Sequence, residues 1–236
     1  MVQLLPDDRL FVLTGAGVSA ESGLATFRGS GGLWNGHRLD QVATPEAWAA
    51  DPLLVWRFYS MRRRDAAAAA PNAGHLALVR LEEQMGSRFY LCTQNVDDLH
   101  ERAGSHRVHH MHGSLFQSRC VRCEEPFYDD GGYELVDDLP LCAICGAAVR
   151  PHIVWFGEVP LDMERIYAEL DRATVLLVAG TSGSVYPAAG FVQVAHQRGI
   201  RTIYAGPEEP LNADVFDEVL LGTATEILPT IDVRGA

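Results

Sequence analysis

Hydrophobic and polar positions along this chain follow two rhythms. Short runs dense in aliphatic and aromatic residues occur at 9–14 (RLFVLT), 88–93, 107–111, 174–179 and 200–205, with another near 217–221. Between them, apolar residues recur three and four apart, the spacing of a helix with one buried face. Continuous apolar runs such as TVLLVAG suit strands covered on both faces, and strands alternating with helices predict an α/β fold around a parallel sheet. Helix signals agree with this. Asn72 can cap a helix running to Gly86, Thr44-Pro45 opens another, and Pro187 and Gly199 bracket a third.

Two stretches break the rhythm. Residues 33–71 read as mostly helical, with a segment 52–70 that ends in MRRRDAAAAAP. Residues 118–149 hold two Cys-x-x-Cys pairs, seven acids against two arginines, and little regular pattern. Both are expected to form a smaller lobe beside one sheet domain. That domain would comprise 1–32, 72–117 and 150–236, with 33–71 as the helical part of the small lobe and 118–149 as a metal-binding module.

Composition narrows the class. With 236 residues and 47% apolar content the chain can bury a good core, which excludes disorder. Its longest apolar run, Ala173 to Gly180, is far short of the roughly 20 residues of a membrane span. The opening MVQLLPDDRL carries acids where a signal peptide carries bases, so a cytoplasmic location is expected. A net charge of −12 disfavours nucleic acid and anionic membranes as partners. Every base is Arg, which removes any lysine Schiff-base mechanism on this chain.

Several motifs carry chemistry. Cys120, Cys123, Cys142 and Cys145 have the spacing of a four-thiolate zinc site. Four thiolates leave no open position for water or substrate, so one zinc ion here would be structural. Strand 9–14 runs into GAGVSA, 15–20, a match to the dinucleotide-binding fingerprint whose glycines bring backbone N–H groups around a pyrophosphate. A dehydrogenase would follow this with a second strand ending in an acid. The Gly-rich ESGLATFRGSGGLW that follows here disfavours hydride transfer. Gly180, Thr181 and Ser182 directly follow the strongest strand and read either as a second phosphate cradle or as a polar turn. Gln94, Asn95 and Asp97 again follow a strand, where open α/β sheets bind ligands, although Asn and Asp there also serve as helix caps. Of the histidines in VHHMHGS, one at a strand end is suited to act as a general base near neutral pH. A zinc-containing module without catalysis remains the rival reading.

Taken together, GAGVSAESGLATFR (15–28), TQNVDDLH (93–100), HGS (112–114), the Cys pairs, RPHIVWFGE (150–158) and GTS (180–182) resemble a sirtuin over about residues 9–228. The resemblance implies a Rossmann-like domain with a small zinc-and-helix lobe, and an NAD-dependent protein lysine deacylase that consumes NAD and releases nicotinamide and O-acyl-ADP-ribose. By the match, His112 is the catalytic base for a ribose hydroxyl. Gly15, Ala16, Gly17, Ala20, Phe27 and Arg28 would wrap pyrophosphate and ribose, with Gln94 on the ribose and Asn95 and Asp97 lining the nicotinamide pocket. Gly180, Thr181 and Ser182 would meet phosphate. Val154, Trp155 and Phe156 would wall an acyl-lysine channel, with Gly157 and Glu158 beside the peptide backbone. Two departures stand out. Ala25 replaces a usual Pro, and Gly206 stands where relatives carry an Asn that grips the adenosine ribose; Ala224 falls beside adenine. Tyr59 and Arg62 match the Tyr-x-x-Arg pair by which some sirtuins bind succinyl or malonyl carboxylates, whereas Arg63 and Arg64 read as solvated helix charges. Expected partners are acyl-lysine proteins or peptides meeting a monomeric enzyme. A family member that mainly transfers ADP-ribose to proteins is the nearest alternative.

Overall fold

Six parallel strands build the main sheet: β1 Leu10–Thr14, β2 Phe89–Thr93, β3 Val108–His110, β4 Val175–Ala179, β5 Arg201–Gly206 and β6 Glu218–Leu221. Each lies within a residue or so of the run that predicts it. The computed structural model describes residues 2–26, 33–34, 36–123, 126–128, 138–181 and 187–235. Across the sheet the order is β3-β2-β1-β4-β5-β6. This is a Rossmann-like order, and the direction of strand addition reverses between β1 and β4, where such sheets open a crevice.

The centre of the sheet shows why its strands do not alternate in polarity. Every residue of β1 and β4 is buried. Leu10 and Val12 face one way and pack with Leu78 and Leu81 of the helix Ala73–Met85. Phe11 and Leu13 face the other way, toward Ile166 and Leu170 of the helix Met163–Arg172 and Phe191 of the helix Phe191–Gln197. Each such side chain, removed from water, contributes about 1.5–3 kcal/mol. The last of these helices is entered through a 3-10 turn, Ala188–Gly190, after Pro187, and it stops before Gly199 at φ +70°.

The small lobe has its own core around Val55, Phe58, Tyr59, Val96, Leu115 and Trp155. Its main helix, Pro52–Ala68, starts on the Asp51 carboxylate, which accepts from Leu54 N at 2.9 Å. A three-stranded antiparallel sheet lies beside it, with Gly113–Cys120 between Pro126–Tyr128 and Val149–Ile153. The central strand crosses the boundary expected near residue 117. Trp56 Nε1 donates to Val149 O at 2.8 Å and ties the helix to this sheet.

Arg63 corrects the sequence expectation. It is 6% exposed and not a solvated charge. Its guanidinium donates to Leu115 O, and to Ser118 Oγ at 3.2 Å, and sits over the Trp56 ring. Arg64 is exposed, as expected.

Candidate functional site

A cavity of about 530 Å³ opens at the carboxyl ends of β1, β2, β4 and β5 and is closed on its far side by the small lobe. That size suits a small-molecule or cofactor site. Its floor is the crossing of two strand-end loops. Gly15 N donates to Ala179 O at 3.0 Å and Gly17 N to Gly180 O at 2.7 Å. A Cβ on Gly15 would lie 2.7 Å from Thr181 Cβ, and one on Gly17 would lie 2.8 Å from Gly180 Cα. The glycines are therefore required for loop-to-loop packing. The Gly15 and Gly17 amides close the two loops on each other, and their missing side chains make room for the facing loop. Asn72 fixes the same loop from outside. Its side chain caps the helix Ala73–Met85 through Gly74 N (2.9 Å) while its Nδ2 donates to Val18 O at 2.8 Å.

Beyond the glycines lies a connected polar wall. Asn95 Nδ2 donates to Ser19 Oγ at 3.1 Å, and Ser19 Oγ donates to Asp97 Oδ2 at 3.1 Å. Asp97 Oδ1 also accepts from Leu99 N at 3.2 Å. Burial raises the Asp97 carboxyl above its ordinary range, against the hydrogen bonds from Leu99 and Ser19 that favour the anion. Two accepted bonds leave a carboxylate with lone pairs for a further N–H, so this set matches the donors and acceptors of a carboxamide.

His110 and His112 share a short segment but not a state. Burial works against a charged His110 ring, yet Glu101, bonded to Nε2 at 2.7 Å, and Asn95 O at Nδ1 outweigh it and raise its pKa. For His112 burial dominates and lowers the pKa, only partly opposed by Gln94 O at 3.1 Å from Nδ1. A carbonyl only accepts, so Nδ1 carries the proton and Nε2 keeps its lone pair.

The opposite wall comes from the small lobe. Tyr59 and Arg62, one helical turn apart, both line the cavity. Burial pushes the Tyr59 phenol up to about 12, with the Arg62 charge opposing. Burial also pushes Arg62 down to about 10, so it remains a cation at neutral pH. Trp155 Nε1 donates to Tyr59 Oη at 3.1 Å, which leaves the phenol proton to donate elsewhere. Trp155 is held in turn: Arg150 Cζ lies 3.3 Å from its ring centroid, and Glu158 Oε2 accepts its backbone N–H at 2.8 Å. Glu158, which also lines the cavity, pairs with Arg150 (2.7 Å) and Arg119 (3.2 Å).

The four cysteines meet at the far end of the strand Gly113–Cys120. Their Sγ atoms all lie within 4.8 Å of one another, with pairs at 3.4, 3.5 and 4.0 Å. A tetrahedron with Zn–S of about 2.3 Å places sulfurs roughly 3.8 Å apart, so the donor set fits zinc. Arg122 N and Cys123 N both donate to Cys120 Sγ at 3.4 Å. No histidine joins this cluster among the described residues.

Of the residues singled out in the sequence, the cavity gathers Gly15, Ala16, Gly17, Gln94, Asn95, Asp97, His112, Gly180, Thr181, Tyr59, Arg62, Val154, Trp155, Phe156, Gly157 and Glu158. Ala20, Gly206 and Ala224 are not part of its lining, and Phe27, Arg28 and Ser182 lie outside the described residues. Sequence reasoning gave no separate role to Ser19, His110 or Tyr204. Ser19 sits inside a named motif; no spacing rule marks the other two.

A family model described as the Sir2 family matches residues 15–187 of this chain. The chain belongs to the Sir2 family. Among the relatives of this Sir2-family chain is a Caulobacter vibrioides protein named NAD-dependent protein deacylase, 52% identical over 224 residues, which are 94% of both chains. A Salmonella typhimurium protein of the same name is 45% identical over 96% of this chain and 84% of the relative. A solved complex of a Sir2 homologue with NAD superposes with a TM-score of 0.87 at 43% identity, covering 95% of this chain and 88% of the other. A homologue mutant bound to ADP-ribose superposes with a TM-score of 0.88 at 42% identity, over 95% and 90%.

Proposed function

We propose that this NAD-dependent protein deacylase removes acidic acyl groups, succinyl and malonyl, from lysine side chains in preference to acetyl, releasing nicotinamide and O-acyl-ADP-ribose. NAD supplies, when bound, the ribose carbon that accepts the acyl oxygen as nicotinamide leaves. In this reading His112 Nε2 takes the proton of a ribose hydroxyl, with Gln94 beside that ribose. Asn95 and Asp97, joined through Ser19, hold the carboxamide. Gly15, Ala16, Gly17, Gly180 and Thr181 border the phosphates, and Gly206 and Ala224 approach the adenosine. Val154, Trp155 and Phe156 exclude water around the lysine stem, and Gly157 runs beside the peptide. The zinc is structural, and the sheet domain and small lobe each contribute one wall. The net charge of −12 supports a protein or peptide partner over nucleic acid.

The acyl preference rests on one observation: a half-buried guanidinium and a buried phenol line the same cavity from one helix turn. A guanidinium fork with a phenol donor is a strong carboxylate receptor. A charge-assisted hydrogen bond is worth about 1.5–3 kcal/mol, or roughly 10- to 150-fold in rate or affinity. Acetyl-lysine forgoes that contact, so deacetylation persists at a lower level. Mass spectrometry of products from NAD with succinyl- and acetyl-lysine peptides tests this in wild type and Arg62→Met. The succinyl-to-acetyl ratio of kcat/KM is expected to collapse by at least about tenfold. An unchanged ratio overturns the acyl assignment.

A further inference from the structure

Four consecutive backbone carbonyls run from the end of β2 into the loop that carries Asn95 and Asp97, and one neighbouring segment holds them all. Met111 N donates to Thr93 O at 3.0 Å and Leu115 N to Val96 O at 2.7 Å. Between these two, the donors are side chains: His112 Nδ1 lies 3.1 Å from Gln94 O, and His110 Nδ1 lies 2.9 Å from Asn95 O. From the other side Thr93 Oγ1 accepts from Asn95 N at 3.0 Å, so the Asn95 backbone is gripped at both ends. His110, the last residue of β3, has a second contact. Its Nε2 meets Glu101 Oε1, on the helix Leu99–Ala103, at 2.7 Å. Both ring nitrogens thus face groups that only accept. A neutral imidazole has one N–H and can serve one of them, whereas the imidazolium serves both.

We infer that His110 is a positioning residue for the carboxamide wall: as an imidazolium bridging Asn95 O and Glu101, it fixes the backbone from which the Asn95 side chain reaches Ser19. The inference rests on the reading of that wall as the nicotinamide end of an NAD site. His110 is not part of the cavity lining, so it acts through Asn95. The titratable groups around it are Glu101 and His100 of the helix, Asp97 of the loop and His109 of its own strand. Burial keeps His100 and His109 neutral at pH 7. It also works against a charge on His110, but Glu101, Asn95 O and Asp97 outweigh it and raise the pKa. The double bridge is therefore complete below the ordinary imidazole value and is lost as pH rises through the raised one. A bare lone pair then faces either Asn95 O or the Glu101 carboxylate.

The test is product inhibition of deacylation by nicotinamide, measured from mildly acidic to alkaline pH. Calorimetric titration with ADP-ribose, which lacks nicotinamide, is the control. Nicotinamide should inhibit wild type less as pH rises through the His110 transition. His110→Ala is expected to raise the half-inhibiting nicotinamide concentration about 3- to 10-fold, with ADP-ribose affinity unchanged. His110→Asn places an amide N–H where Nδ1 stands. It should restore inhibition to within about twofold of wild type and remove the dependence on pH. Glu101→Gln should preserve inhibition at low pH and move the transition downward, since the charge that favours the imidazolium is gone. A general loosening of the loop would not be rescued by Asn. The inference is overturned if His110→Ala is inhibited as wild type is or loses ADP-ribose affinity equally, if His110→Asn is as defective as His110→Ala, or if the pH dependence persists in His110→Asn. If His110→Ala unfolds, the Asn and Gln variants decide the matter between them. Failure of wild type to bind ADP-ribose at all would overturn the NAD reading itself, and this inference with it.

Discussion

Single residues in this site are set by which partner each ring or carboxylate meets. His109, His110 and His112 arise from one short run of sequence, VHHMHGS, and end in different environments. His109 packs against Tyr90, with ring centroids 6.0 Å apart, and burial lowers its pKa. His110 has acceptors at both nitrogens and is held toward the charged form, whereas His112 has one acceptor and is held neutral. A base must be unprotonated to act, and the His112 pKa is lowered from 6.5. The acidic limb of kcat/KM against pH is therefore expected below the ordinary imidazole value, with activity held down to mildly acidic pH. Replacing His112 by Ala should abolish that limb and reduce kcat by about 10²- to 10⁴-fold, while leaving calorimetric binding of ADP-ribose largely intact. An acidic limb that stays in place in the variant would remove His112 from the mechanism.

At the scale of elements, the sequence was most legible where physics leaves few choices. β1 and β4 are buried at every position, so their runs are unbroken and their ends are marked by glycine. The four cysteines needed only their spacing. Arg62 and Arg63 show where this legibility ends. They are adjacent in an MRRR run, about 100° apart around the helix. One lines the cavity and the other reaches into the neighbouring strand at Leu115 and Ser118. Only the packing of the helix decides which is which. The same strand that receives Arg63 begins at Gly113, beside His112, and ends at Cys120 in the thiolate cluster. Zinc binding should therefore be coupled to the segment that carries His112. Elemental analysis is expected to find one zinc per chain. Cys142→Ser should lose it, lower the unfolding temperature by many degrees, and reduce deacylation of every acyl peptide alike, since structural zinc is worth about 10–16 kcal/mol in small domains. A zinc-free variant with wild-type melting would refute the coupling.

For the molecule as a whole, the cavity has two walls made by different units, and what joins them sets the geometry between dinucleotide and acyl group. The helix that carries Tyr59 and Arg62 is held toward the main sheet at its carboxyl end by Arg102. The Arg102 guanidinium donates to Ala66 O at 3.0 Å and to Ala69 O at 2.6 Å. These bonds satisfy carbonyls that a helix terminus leaves open, and a cation there also complements the helix dipole. Arg102 is about one-third exposed, so its effect is moderate. Its ionic partner among the described residues is Asp98, at 3.6 Å, and not a residue of the glycine loops or of the Asn95–Ser19–Asp97 set. Loosening it should shift the proposed acyl receptor, Tyr59 and Arg62, and leave the glycine loops in place. Arg102→Ala is thus expected to lower kcat/KM for succinyl-lysine peptides by about 3- to 10-fold and to change acetyl-lysine turnover much less, with ADP-ribose affinity unaltered. Parallel steady-state kinetics on both peptides, with calorimetry of ADP-ribose, would check it. An equal loss on both peptides, or a matching loss of ADP-ribose binding, would mean that the two walls move together and that acyl choice does not depend on how the small lobe is docked.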